Sequence, residues 1–118
     1  MAAGRYHIII HANNVEDDSL TNVEGLRTFL NTLPGRIGMT VLYGPVVVEG
    51  IPENPGLSGF VIIDFSHISI HTFTEHKQAL VDIFSCKPYE TEDAAQAVLD
   101  YFKIPKESAM IEKVYWGK

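Results

Sequence analysis

The chain has 118 residues, 46% of them hydrophobic and 20% charged, with a formal net charge of −6. Such a length and balance suit one globular domain, residues 1–118, and exclude an intrinsically disordered chain. No apolar run approaches the ~20 residues of a membrane helix. The nine Lys and Arg residues are scattered on an acidic chain, which argues against a nucleic-acid partner, since phosphate binding needs clustered cations.

Residues 5–13 (RYHIIIHAN) read as a first strand, with branched aliphatics in one short run. Residues 14–18 form a polar turn. From Ser19 the period changes, and Leu20, Val23, Leu26, Phe29, Leu30 and Leu33 fall on one helical stripe. Thr21 and Glu24 have capping-box spacing, and Pro34-Gly35 ends the helix. Residues 39–49 are a second strand with an interruption at Gly44-Pro45. Residues 50–57 (GIPENPGL) read as a loop on their prolines and glycines.

Strands follow over 58–64 and 67–73, joined by a hairpin or bulge near Phe65-Ser66, and over 78–86. Thr91 is suited to cap a helix whose stripe is Ala94, Ala95, Val98, Leu99 and Phe102. Pro105 ends it, and residues 108–116 form a last strand.

About six strands and two helices make an α+β, two-layer sandwich, a mostly antiparallel sheet with two helices on one face. Yet Ile8 to Ile10, Val46 to Val48 and Phe60 to Ile63 are apolar at consecutive positions, so both sheet faces read as buried. Two helices cover only one face, and a second copy of the chain is the simplest cover for the other, which predicts a homodimer. A start at Met1-Ala2-Ala3-Gly4-Arg5 without a long apolar core is not a signal peptide. Together with a single cysteine, Cys86, it points to a cytoplasmic protein and no intramolecular disulfide.

Residues 66–72 (SHISIHT) alternate strictly. Ile68 and Ile70 point to one side, in phase with Ser66, while His67, Ser69 and His71 point to the other. A half-buried strand with one wet face explains the alternation. His67 and His71 lie about 13 Å apart along a strand, too far to share a metal ion. A hydrolase built on Ser66, His71 and Asp64 or Asp82 is conceivable, but the G-x-S-x-G elbow is missing.

Three linked motifs point further. Ser58-Gly59, then residues 66–72, then Val81-Asp82-Ile83-Phe84-Ser85-Cys86 together resemble the small prokaryotic-type S-adenosylmethionine decarboxylases over roughly residues 5–102. Those enzymes process themselves and are pyruvoyl-dependent. The resemblance implies cleavage between Phe65 and Ser66, with Ser66 becoming a covalent pyruvoyl group whose ketone takes the substrate amine as a Schiff base. It implies Ser58 and His71 as processing residues, His71 being the base, Cys86 as the proton donor in turnover, and Glu75 as a substrate-binding residue for the ribose. The substrate so implied is a small cationic amino-acid-type molecule, S-adenosylmethionine, and its product serves polyamine (spermidine) synthesis.

Two positions depart from the family. Phe65 stands where Glu normally precedes the cleaved serine, and Pro52 stands near the adenine-stacking aromatic, a place that Tyr43, Phe60 or Phe73 would have to fill. The alternatives are therefore decarboxylation of another amino acid, such as ornithine or arginine, and an uncleaved paralogue that binds or regulates.

Overall fold

The computed structural model describes residues 4–116. The Met1 to Ala3 start lies outside the described residues, as do Gly117 and Lys118. Six strands form one sheet: β1 (Tyr6–Ala12), β2 (Val41–Ile51), β3 (Asn54–Ile63), β4 (Ser66–Phe73), β5 (Gln78–Ser85) and β6 (Ala109–Lys113). Their order is β2-β3-β4-β5-β1-β6, and every pairing is antiparallel.

Strand alternation sends Ile8, Ile10, Val61, Ile63, Ile68, Ile70, Val81 and Ile83 to one face, where all are buried. Full burial of each such side chain contributes about 1.5–3 kcal/mol relative to exposure. Against them pack Leu20, Leu26, Leu30, Leu33, Val98 and Phe102, which come from α1 (Asp17–Thr21), α2 (Val23–Arg36) and α3 (Thr91–Phe102). The expected pair of helices is thus three. The first stripe is broken because Asn22, in an extended conformation, caps α2 by accepting the Gly25 N–H at 2.8 Å. Thr21 makes no capping box with Glu24; its hydroxyl donates to Asp17 O instead.

Other boundaries move for equally local reasons. Pro34 sits inside the last turn of α2, which closes at Gly38, whose φ of 78° favours glycine. Helix α3 starts at Thr91 itself, with Glu90 at the cap position and no side-chain cap bond. It stops at Lys103, in the left-handed region, two residues before Pro105. Residues 50–57 are not a loop: only Pro52 and Glu53 separate β2 from β3. A Cβ at Gly56 would lie 1.9 Å from the Thr72 carbonyl oxygen, so glycine there lets β3 run close to the end of β4. The cis Gly44-Pro45 bond lies in an irregularity of β2, an edge strand where Pro is tolerated.

The second face is open among the described residues. It carries Val46, Val48, Phe60, Ile62 and Met110, between 39% and 57% exposed, set among the polar groups of β4 and β5.

Candidate active site

The three motifs build two clusters at opposite ends of β4. Ser66 opens β4 after a two-residue turn and lies opposite Ile63 on β3 and Ser85 on β5. Its φ is 152°, a conformation that L side chains rarely adopt. The carbonyl oxygen of the preceding Phe65 accepts the Cys86 backbone N–H at 2.9 Å and the Cys86 thiol at 3.4 Å. Ser85 is fully buried and shapes the bend that aims Cys86: its hydroxyl accepts the Lys87 N–H at 2.9 Å and donates to Lys87 O at 2.8 Å. The Lys87 ammonium lies 4.9 Å from the centre of the Phe65 ring and donates to Gly38 O.

Ser58 and His71 make the second cluster. They are direct partners across β3 and β4, and Ser58 Oγ lies 2.8 Å from His71 Nδ1. The neighbouring Gly59 faces the helices, where a Cβ would come within 2.5 Å of Leu30 and 3.2 Å of Leu26. The Ser-Gly pair therefore does two jobs: glycine admits α2, and serine addresses the open face. Glu75 is exposed in a single 3₁₀ turn, Thr74–His76, directly beyond β4 at this same end.

Ser66 and His71 are five residues apart on one strand, about 16 Å. Within one chain the structure does not bring them together, so a hydrolytic Ser66-His71-Asp arrangement is overturned. Asp82 and Asp64 are engaged elsewhere. Asp82 accepts from His7 at 2.9 Å, with His67 Nε2 at 3.8 Å. Trp116 Nε1–H, a donor only, points at His7 Nδ1 from 3.1 Å, so His7 carries its hydrogen on Nε2 and gives it to Asp82. Asp64 caps Thr40, accepting its N–H and its hydroxyl at 3.1 Å each. These bonds hold the Asp64 carboxyl below the ordinary aspartate value, the Thr40 N–H being the largest cause. Nothing in the sequence flags this cap, because its partners lie 24 residues apart.

Pro52 forms the tip of the β2–β3 hairpin. Of the aromatics considered in its place, Tyr43 is exposed on β2, Phe73 is half-buried at the end of β4, and Phe60 stacks on His67 at 5.4 Å. Among the described residues no group of three His, Cys, Asp or Glu is arranged to hold a metal ion, and no helix is long and apolar enough to cross a membrane.

A carbonyl that accepts two donors thus precedes a serine whose backbone is strained. Residues 6–112 match the family described as S-adenosylmethionine decarboxylase. An S-adenosylmethionine decarboxylase proenzyme of Thermodesulfovibrio yellowstonii is 32% identical over 84% of this chain and 73% of its own. One from Archaeoglobus fulgidus is 32% identical over 87% of this chain and 89% of its own. The crystal structure of the adenosylmethionine decarboxylase from Aquifex aeolicus superposes with a TM-score of 0.75 at 28% identity, over 97% of this chain and 89% of that one. With a match that runs from the first residue of β1 to within one residue of the end of β6, the chain belongs to the S-adenosylmethionine decarboxylase family.

Proposed function

We propose that the chain is a self-processing decarboxylase that derives a pyruvoyl group from Ser66 and acts on S-adenosylmethionine. What carries the reading is the double grip of Cys86 on the carbonyl of Phe65, the residue before Ser66. The names of the relatives support both halves of it: they are S-adenosylmethionine decarboxylase proenzymes, and a proenzyme is a chain that has yet to be cut.

In processing, Ser66 Oγ attacks the Phe65 carbonyl carbon while the two Cys86 donors take up the developing negative charge. The C–N bond breaks, the hydroxyl proton passes to the freed nitrogen, and an ester remains. A base then removes the Ser66 Cα proton and Phe65 leaves as a carboxylate. The resulting dehydroalanine adds one water and releases ammonia, which leaves the pyruvoyl group. Phe65 instead of Glu is compatible with this chemistry, since only its backbone carbonyl reacts. When present, the pyruvoyl group supplies an electron sink for loss of CO₂. Cys86, already beside the reacting carbonyl, is the group that would return a proton to the substrate carbon.

The base must come from elsewhere, because His71 of the same chain is about 16 Å away. A second copy supplies it. A twofold axis crossing β4 near Ser69, between the open faces of two sheets, would bring the partner's His71, Ser58 and Glu75 to the Phe65–Ser66 end of β4. The same packing would bury the exposed Val46, Val48, Phe60 and Ile62. The active site is then composite, with Ser66 and Cys86 from one chain and the base from its partner.

Denaturing mass analysis tests the reading. The expected result is two fragments, residues 1–65 and 66–118, the second blocked at its N-terminus and reactive toward carbonyl reagents. A single full-length species after long incubation would overturn it. Release of ¹⁴CO₂ from S-adenosylmethionine, measured beside ornithine and arginine, tests the substrate, and activity on an amino acid alone would replace it.

A further inference from the structure

The turn that carries the cleavage site is built in an unfavourable way. Only Asp64 and Phe65 join Ile63 to Ser66, which are themselves paired. Two-residue hairpins favour primed turns, with positive φ at the first or both loop residues, because other turns splay the strands. Here neither loop residue has positive φ; the strained conformation falls on Ser66 instead, at φ 152°.

The reason lies in Asp64. Its backbone N–H donates to Thr40 O at 3.0 Å, and its carboxylate accepts the Thr40 N–H and hydroxyl at 3.1 Å each. Three bonds to one residue fix the orientation of the Asp64 backbone and prevent it from turning to positive φ. The segment that receives them, between α2 and β2, also holds the Phe65 side through Lys87, whose ammonium bonds Gly38 O and covers the Phe65 ring. Cys86 anchors the Phe65 carbonyl from the far side. With both loop residues tied, Ser66 is the first position free to absorb the mismatch.

We infer that the Thr40–Asp64 latch is a positioning device for self-processing: it denies the turn its relaxed form and keeps the strain on the Ser66 backbone, beside the bond that is broken. Formation of the ester relieves that strain, since the Phe65–Ser66 peptide plane then ceases to exist. Asp64 touches none of the reacting atoms; it acts through the backbone of the turn. The inference rests on the self-processing reading, and cleavage of the wild-type chain is its first control. Absence of that cleavage counts against the function itself, before any variant is compared.

Asp64→Gly tests it directly, because glycine both removes the carboxylate and permits the positive φ of a relaxed hairpin. Processing should slow by ~10-fold or more, equivalent to about 1.4 kcal/mol of lost strain. Hydroxylamine, which traps the ester, should cleave a correspondingly smaller fraction in a fixed time. Rates are compared well below each variant's melting temperature, where every chain is folded, so a smaller trapped-ester fraction cannot come from a merely lost stabilisation. Thr40→Val removes the hydroxyl bond and keeps the backbone bonds, so its processing rate should fall between the two, and this variant serves if Asp64→Gly does not fold. Wild-type processing rates in the folded variants, with the wild type itself cleaving, would overturn the inference.

Discussion

The thiol of Cys86 lies 3.4 Å from the carbonyl oxygen of Phe65, which also accepts the Cys86 backbone N–H at 2.9 Å. One residue thus meets the carbonyl that precedes Ser66 with two donors, only one of which is a side chain. Cys86→Ala keeps the N–H, so self-cleavage should continue, slowed by no more than the loss of a weak sulfur donor. Turnover is different under the proposed mechanism, because the thiol is the proton source once CO₂ has left. The matured Cys86→Ala protein should lose roughly 10²–10⁴-fold in decarboxylation. Fragment formation by mass analysis and ¹⁴CO₂ release on the same sample separate the two steps. Full turnover by the variant would remove Cys86 from the chemistry.

The separation of Ser66 from His71 along β4 makes a prediction about mixed dimers. Ser66→Ala and His71→Ala chains should each remain uncut alone. In a heterodimer of the two, one composite site combines an intact Ser66, on the His71→Ala chain, with the intact His71 of its partner. After free exchange at equal concentrations about half of the His71→Ala chains sit in heterodimers and should be cleaved. The Ser66→Ala chains should stay whole. Light scattering should give about twice the monomer mass. No cleavage in the mixture would mean that His71 does not act across an interface.

Much of the fold was legible because strands and helices announce themselves by period. Ile68 and Ile70 alternate with His67, Ser69 and His71, and they fall on the two faces expected of them. What escaped was set by single residues. Asn22 divides one apolar stripe into two helices, and Lys103 in the left-handed region stops α3 before Pro105 is reached. Prolines and glycines at 50–57 read as a loop, yet Gly56 belongs to a strand, kept small by the Thr72 carbonyl. At the site, motif resemblance named Ser58, Ser66, His71 and Cys86, while strand geometry divides them into two clusters. The Thr40–Asp64 latch and the Trp116–His7–Asp82 chain join residues far apart in sequence, and no local pattern encodes them.

The threonine that ends the 66–72 run has a structural task. Thr72 is buried, and its hydroxyl donates to Leu20 O at 2.7 Å and accepts the Leu57 N–H at 2.8 Å. It thereby ties the end of α1 to the middle of the sheet. Thr72→Val keeps the shape but strands a buried donor and a buried acceptor, each worth about 1–3 kcal/mol when left unpaired. We expect a loss of roughly 2–4 kcal/mol, read as a lower urea midpoint at unchanged slope. Thr72→Ser retains the hydroxyl and should lose far less. Equal losses in the two variants would assign the effect to the missing methyl group.

Asp64 supplies a pH signature for the latch. The Thr40 N–H and hydroxyl favour the charged carboxylate, with a smaller contribution from the Lys87 charge, so the folded value lies below the unfolded one. A group lowered in this way stabilises the fold above its unfolded value, about 3.9 for aspartate, and loses that contribution as pH falls through the folded value. Across pH 5 to 8 the contribution is therefore constant. Asp64→Asn, which cannot ionise, should be less stable than the wild type by the same margin throughout that range. Below about pH 4 the margin should shrink, as the wild-type carboxylate takes up its proton. Urea midpoints of the two proteins, measured from pH 8 down to 3, decide the matter. A margin that widens on acidification would reverse the sign and show that Asp64 is not held charged by Thr40.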